Sequence, residues 1–452
     1  MSQVKENTFH KDHFLELNKA LDSGSAYHVR QMLEILPAAG IAHLLESSPP
    51  KVRNILWQLV DSGAEGEVLQ YLNEDIQNEI LKDLNAKEVA ALTEGLEADD
   101  LADILQHLPN QVTAEVLQAM DTQDRQRVET ILSYPEDTAG GLMNTDTITI
   151  RPRHTLDTVL RYLRRHDTLP EMTDNILVVN RKDEFVGILP LRKLLVSDPG
   201  ITVREVMLTD IEAIPVEMEA THVAQLFEQH DWVSAPVVDE AGKLLGRITI
   251  DDIVDLIRDT TEHSLMSMAG LDEEDDTFAP IVKTARRRSV WLGVNLMTAI
   301  IASAVIYLFQ DTIDKVVYLA VLMPIVANMG GVAGSQTLTL VVRSLALGHI
   351  SQSNTRWLLS RELGSAILNG LVWALVTSIV VFIVYREILL SYIIAAAMVI
   401  TMVTAALAGA YLPLFLKRIN IDPALAGTVA LTTVTDSVGF FTFLGLANIF
   451  YL

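Results

Sequence analysis

From about Ser289 onward the chain reads as a series of apolar stretches, each long enough to cross a hydrocarbon core of roughly 30 Å. Everything before that point reads as an acidic soluble protein, so a soluble half must be joined to a membrane half. Five spans are expected, at about 290–309, 316–342, 363–384, 388–416 and 424–450. Flanking basic residues set their direction. Arg286, Arg287, Arg288, Arg343, Arg356, Arg361, Lys417 and Arg418 fall on one side, and only Lys315 and Arg386 on the other. The soluble half is therefore expected in the cytoplasm and the C-terminus outside, in a multi-pass protein of the cytoplasmic (inner) membrane in contact with lipid. Gly and Pro interrupt the spans in "VLMPIVANMGGVAGSQ" (321–336) and "AGAYLPLF" (408–415). Such residues let helices pack closely or open around a cavity, which suits a pathway more than an anchor.

Charge narrows the partners. A formal net charge of -24 argues against nucleic acid, whose phosphates need clustered Lys and Arg, and suits a protein that meets cations. The absence of cysteine excludes thiolate metal sites, disulfides and thiol redox chemistry. The opening residues "MSQVKENTFHKDHF" lack the apolar core of a secretory signal, in keeping with a cytoplasmic soluble half. No Walker-type loop, HExxH or nucleophile elbow is found, and an enzyme is not expected.

The soluble half divides by period. From about Phe14 to Leu132, short amphipathic helices alternate with turn signals such as "LPAAG", "SSPPK" and "HLPNQ". A helical repeat domain is expected, with an irregular bundle as the alternative. From Pro135 the pattern becomes strand, helix, strand, turn, Gly-led strand and helix, and it occurs twice. This duplication resembles a tandem pair of cystathionine-beta-synthase (CBS) domains. The most specific element is "GRITIDD" (246–252), where the resemblance implies that Thr249 and Asp251 hold the phosphate and ribose of an adenine nucleotide. The first copy has "GILPLRK", with Pro190 and Lys193 at the positions of Thr249 and Asp252, so one nucleotide site is expected rather than two. Arg192 of that copy joins the nucleotide set. Trp232 could stack on adenine or belong to the core.

The order of parts, together with "PIVANMGGVAGSQ" and "DPALAGTVALTTVTDSVGF", resembles the MgtE family of magnesium transporters over nearly the whole chain. The implied fold is a multidomain α + α/β membrane protein. Its expected parts are an N-terminal tail (1–13), a helical N domain (14–134), a first CBS domain (135–200), a second (201–250), a connecting plug helix and linker (251–288), and a five-helix transmembrane domain (289–452). The resemblance implies a homodimer enclosing one central pore. A dimer is also the physical expectation, because five helices alone could hardly surround a conducting path.

Asp436 is the acid deep in the fifth span. An ionised carboxylate there costs several kcal/mol unless it meets water, a partner or an ion. In a dimer two copies would repel unless a divalent cation shared them. Mg2+ surrenders water reluctantly and is usually held by one or two carboxylates, so a largely hydrated ion is expected, helped by Thr432, Thr435 and Asn328. The structural alternative is a hydrogen bond between helices, for the Thr and Asn side chains especially. Val332 stands where the family often has Asn, which removes one oxygen ligand.

In the cytosolic half, "EADDLADIL" puts Asp99 and Asp103 on one helix face with Asp100 beside them. Such acids can simply solvate a helix or cap it. The resemblance implies that they share Mg2+ with Asp252, and that Asp255 and Asp231 fall at acid-bearing positions. Loss of this Mg2+ would let repelling acids separate the domains, and the helix from Asp251 to about Ala269 would carry that motion to the pore. ATP is implied as a modulating ligand. The sequence also departs from its relatives: Arg258, His263, Thr221 and His222 stand where carboxylates are common, so cytoplasmic Mg2+ is expected to close this protein more weakly. The loop "LDEEDDTFAP" is expected to be solvated. Two other classes compete: a divalent carrier coupled to Na+ or H+, and a nucleotide sensor whose spans merely anchor it.

Overall fold

The structure, a computed structural model, describes residues 26–451 apart from 83, 167, 171, 272–275, 348, 351–352 and 420. The expected tail (1–13) and, of the acidic stretch Asp272 to Asp276, all but Asp276 lie outside the described residues. The chain forms two compact units. One runs to Asp259 and regains a short segment ending at Ala279; the other comprises the segment beginning at Thr260 and the chain from Pro280 onward.

The first unit opens with short helices from Ala26–Leu33 to Thr122–Ile131. Pro37, Pro49 and Pro109 begin three of them, and Asn73, Asn85 and Asp121 cap three others with side-chain acceptors. Their apolar faces share one core, including Leu45, Leu56, Leu69, Ile76, Leu105 and Ile131. Arg53 is buried in it, 0% exposed. Its guanidinium donates to the carbonyls of Leu45 (3.1 Å) and Ser48 (3.2 Å) and to Glu79 (3.1 Å) and Asp276 (2.9 Å). Asp276 therefore departs from the expected solvated loop: its side chain is only 6% exposed. A buried guanidinium needs a carboxylate, and that need draws the segment in.

The duplication is visible in register. In one sheet β1 (Thr149–Ile150) pairs parallel with β2 (Asn175–Val179), which pairs antiparallel with β3 (Phe185–Pro190). In the other, β4 (Ile214–Pro215), β5 (Ser234–Val238) and β6 (Leu244–Thr249) repeat the order, with a register shift at the equivalent place. The cores exchange segments. Ala139 and Met143 pack with the second sheet's residues, and Val203 with the first sheet's. After β6 the chain enters a single helix, Ile250–Met268.

In the second unit, five helices are long and apolar enough to cross a membrane: Ile281–Tyr307, Tyr318–Ala346, Thr355–Tyr385, Ile388–Arg418 and Pro423–Tyr451. Here they are the first to fifth spans. The fourth is the most buried and packs against the second, third and fifth. Pro324 and Pro413 sit inside continuous helices, so Gly and Pro serve close packing here rather than a break. A Cβ on Gly409 would lie 2.5 Å from the Gly334 carbonyl, and one on Gly330 would lie 2.6 Å from Thr401. Glycine lets the second and fourth backbones touch. Met268 packs against Leu338, Val342, Ala424 and Leu431. His263 Nε2 lies 3.3 Å from Asp422, whose carboxylate also accepts the Ala424 and Leu425 N–H groups at the start of the fifth span.

Candidate pore groove and cytosolic acid cluster

The second span, one turn at a time, presents Asn328, Val332, Ser335, Thr339 and Arg343 on one face; the fifth presents Thr432 and Asp436. They line a single groove of about 760 Å³. Asp436 is half-buried and has no hydrogen bond or ion pair among the described residues. The acid Glu362 in the third span differs, since Thr337 donates to it at 3.3 Å. Thr432 donates its hydroxyl to the Thr428 carbonyl (2.8 Å), which leaves its oxygen lone pairs for a cation. Thr435 is placed elsewhere. It is buried against the second span near Gly330 and donates to the Thr432 carbonyl at 3.1 Å. Of the four expected pore residues, the structure brings Asn328, Thr432 and Asp436 together and turns Thr435 inward. Ser335, Gln336 and Thr339 were missed, although their spacing from Asn328 carries the signal.

In the first unit, the helix Ala98–Gln106 begins with Asp99 and Asp100 in its first turn, where the helix dipole favours negative charge. Asp252 enters from the first turn of Ile250–Met268, held by the backbone N–H (3.2 Å) and hydroxyl (2.9 Å) of Thr249. Burial, then the neighbouring carboxylates, push Asp100 and Asp103 up to about 7. Asp252 rises to about 7 through burial and the adjacent Asp251. Asp99 is raised well above the carboxylate range by burial, with Asp252, Asp100 and Glu97 adding repulsion. Asp255 is raised by burial. Asp103 also faces Glu136 and His107; His107 is itself held up by a 2.6 Å contact with Glu74.

Asp99, Asp100, Asp251, Asp252 and Asp255 line an open cleft of about 1790 Å³ within this unit. The donor set is all oxygen and mutually repelling, which fits a hard divalent cation. Among the described residues no group of three or more His, Asp or Glu side chains is disposed as a complete ligand set. Asp231 stands apart, exposed in the left-handed position that ends the helix Ala220–His230, and does not line the cleft. Sequence reasoning missed Glu97 and Asn144: the Asn144 amide donates to Glu97 and to Asp99 (3.2 Å).

Of the nucleotide set, only Asp251 lines the large cleft. Thr249 is buried, with its hydroxyl hydrogen committed to Asp252. Trp232 stacks on His230 (4.6 Å between centroids) and meets Phe227 edge-on, packing against the second CBS core. Arg192 is exposed on the helix Leu191–Val196.

Comparison with known proteins covers both units. Residues 36–137 match the MgtE intracellular N domain, 139–198 and 203–259 match CBS domains, and 323–446 match the divalent cation transporter domain named MgtE. The magnesium transporter MgtE of Thermus thermophilus is 30% identical over 332 residues, covering 73% of this chain and 74% of that one. The magnesium transporter MgtE of Bacillus subtilis is 29% identical over 334 residues, covering 74% of each. A crystal structure of the cytosolic domain of the Mg2+ channel MgtE in complex with ATP is 32% identical, with a TM-score of 0.50; the match covers 54% of this chain and 99% of that one. With its intracellular N domain, CBS pair and five apolar helices in this order, the chain belongs to the MgtE family of divalent cation transporters.

Proposed function

We propose that this protein mediates magnesium uptake through a channel gated by cytoplasmic Mg2+. The observation that carries the reading is Asp436, an unpaired carboxylate in an apolar span, sharing one groove with Asn328 and Thr432. In a homodimer two such grooves would face each other, each supplying one carboxylate to a largely hydrated ion. Five spans that start from a cytosolic N-terminal half put the C-terminus outside.

Gating follows from the acid cluster. Mg2+ shared by pairs among Asp99, Asp100, Asp103 and Asp252 would hold the N and CBS domains together, with Asp255 and Asp231 as outlying acids. Its loss would leave buried like charges to separate them. The helix Ile250–Met268 would carry this to the pore, a role supported by Met268 and His263 packing at the start of the fifth span. Sensing is proposed to be weaker than in acid-rich relatives, because Arg258 lies beside Asp255 (4.0 Å) and Asp259 (3.8 Å) and competes for them with a cation. The test is flux into liposomes against internal-face Mg2+. Closure is expected at several-fold higher Mg2+ than in an acid-rich relative measured side by side, and Asp252→Ala should shift it further. Closure indifferent to Asp252→Ala would overturn the sensor, and flux that requires a Na+ or H+ gradient would make the protein a coupled carrier.

ATP is proposed to modulate this gate through the second CBS copy. Asp251, open to the cleft, is the candidate ribose acceptor, with Thr249, Trp232 and Arg192 as the remaining members of the set. Asp251→Ala is expected to weaken ATP binding about tenfold, the scale of one hydrogen bond to a charged group. Calorimetry giving an unchanged affinity would place the nucleotide elsewhere.

A further inference from the structure

Asn144 lies in the loop that precedes β1 and is 0% exposed. Its backbone is paired in both directions with Arg247 of β6, at 2.7 and 2.9 Å. The neighbouring Gly246 makes this possible, since a Cβ there would sit 2.6 Å from the Asn144 carbonyl. The side-chain oxygen accepts the Asp146 N–H at 2.7 Å. That bond fixes which way the amide points: the oxygen is committed to a donor, so the NH2 group faces the other side. There it donates to Glu97 and to Asp99. A residue anchored in the CBS pair thus bridges two carboxylates of the N domain.

We propose that Asn144 is a positioning residue of the cytosolic sensor, its fixed amide standing between Glu97 and Asp99 and opposing the separation of the N domain from the CBS pair once the metal is lost. The role rests on the gating function proposed above. An amide is suited to it by its chemistry. Its two N–H groups satisfy one oxygen of each acid but carry no net charge, so they soften the repulsion without neutralising it. A Lys or Arg would cancel one of the two negative charges and compete with Mg2+ for the other. An Asp would add a third like charge. Asparagine retains a docked fraction without metal and leaves the balance responsive to a cation.

The test uses the full-length protein in detergent, with limited proteolysis of the N domain as the readout, in chelator and across a Mg2+ titration. Asn144→Leu, similar in size but without donors, should be cleaved at least tenfold faster in chelator and need at least tenfold more Mg2+ for protection, since two charge-assisted hydrogen bonds are lost and one alone is worth about that factor. Glu97→Gln should move the opposite way, gaining protection in chelator, because one of the two like charges is gone and the new amide can still pair with Asn144. In the Glu97→Gln background the effect of Asn144→Leu should shrink, the coupling expected of residues in contact. A destabilised core alone would not produce the opposite response of Glu97→Gln or this coupling. If wild-type protection ignores Mg2+, the sensor reading falls and takes this role with it. If wild type responds to Mg2+ while Asn144→Leu matches it in chelator, or the two substitutions act additively, this inference alone is overturned.

Discussion

Replacing Asp436 by alanine is expected to abolish divalent-selective flux while leaving a folded protein. The side chain makes no hydrogen bond or ion pair among the described residues, so nothing structural is lost with it. It is instead the carboxylate of a largely apolar groove whose other polar lining is neutral hydroxyls and amides and Arg343. A divalent ion at about 4 Å from one carboxylate gains on the order of 8 kcal/mol at an effective dielectric near 20, before desolvation is subtracted. Retaining even a fifth of that as net preference is worth about tenfold in flux. Asp436→Asn separates charge from shape, because the amide keeps an oxygen and nearly the same volume. It should fall almost as far as alanine. Wild-type Mg2+ selectivity in either variant, measured by flux in liposomes with a folded-state control in detergent, would remove Asp436 from the pathway.

The cytosolic acids predict a strong pH dependence. Asp100, Asp103 and Asp252 titrate near 7 in the docked arrangement, against about 4 for a free carboxylate. Their folded values are raised, so between about pH 4 and 7 the docked form binds more protons than the separated form. Docking without metal is thus favoured by acid and weakens as pH rises through that window, with the full penalty present above 7. Mg2+ must displace those protons. For a carboxylate that titrates near 7, the fraction available to a cation rises about tenfold between pH 6 and pH 8, and apparent Mg2+ affinity should rise by that factor per carboxylate engaged. Metal-free protein is therefore expected to resist protease better at pH 6 than at pH 8, and Mg2+ to protect it most at pH 8. Protection that is flat with pH, or that runs the other way, would show that these acids are neither buried together nor shared with the ion.

What could be read in the sequence was local or periodic. The five spans follow from hydropathy, and the two CBS copies from a pattern that repeats down to the same register shift. Asn328, Thr432 and Asp436 meet in the groove because each lies on the expected face. Thr435 shows the limit of periodicity. On a helix it lies about 60° from Thr432 on one side, and Asp436 about 40° on the other, so spacing alone does not separate them. The neighbours decide, through Gly330 and Thr401 crowding the Thr435 side. Asn144 was illegible for a similar reason. Its partners lie 45 and 47 residues earlier in another domain, and no local pattern links them. The exchanged segments of the CBS cores likewise depend on tertiary pairing.

Arg53 sets an order on biosynthesis. One of the two carboxylates that balance this buried guanidinium belongs to a residue 223 positions later in the chain. Domains emerging from the ribosome generally fold as units, N-terminal first. Here the first domain to emerge stays short of one partner for its buried charge until the whole CBS pair and most of the linker have been made. Asp276 arrives four residues before Pro280, which caps the first span. The last partner of this buried charge reaches the N domain only when the first span is itself in or leaving the ribosome, so completion of the soluble half and entry into the membrane are adjacent events in time.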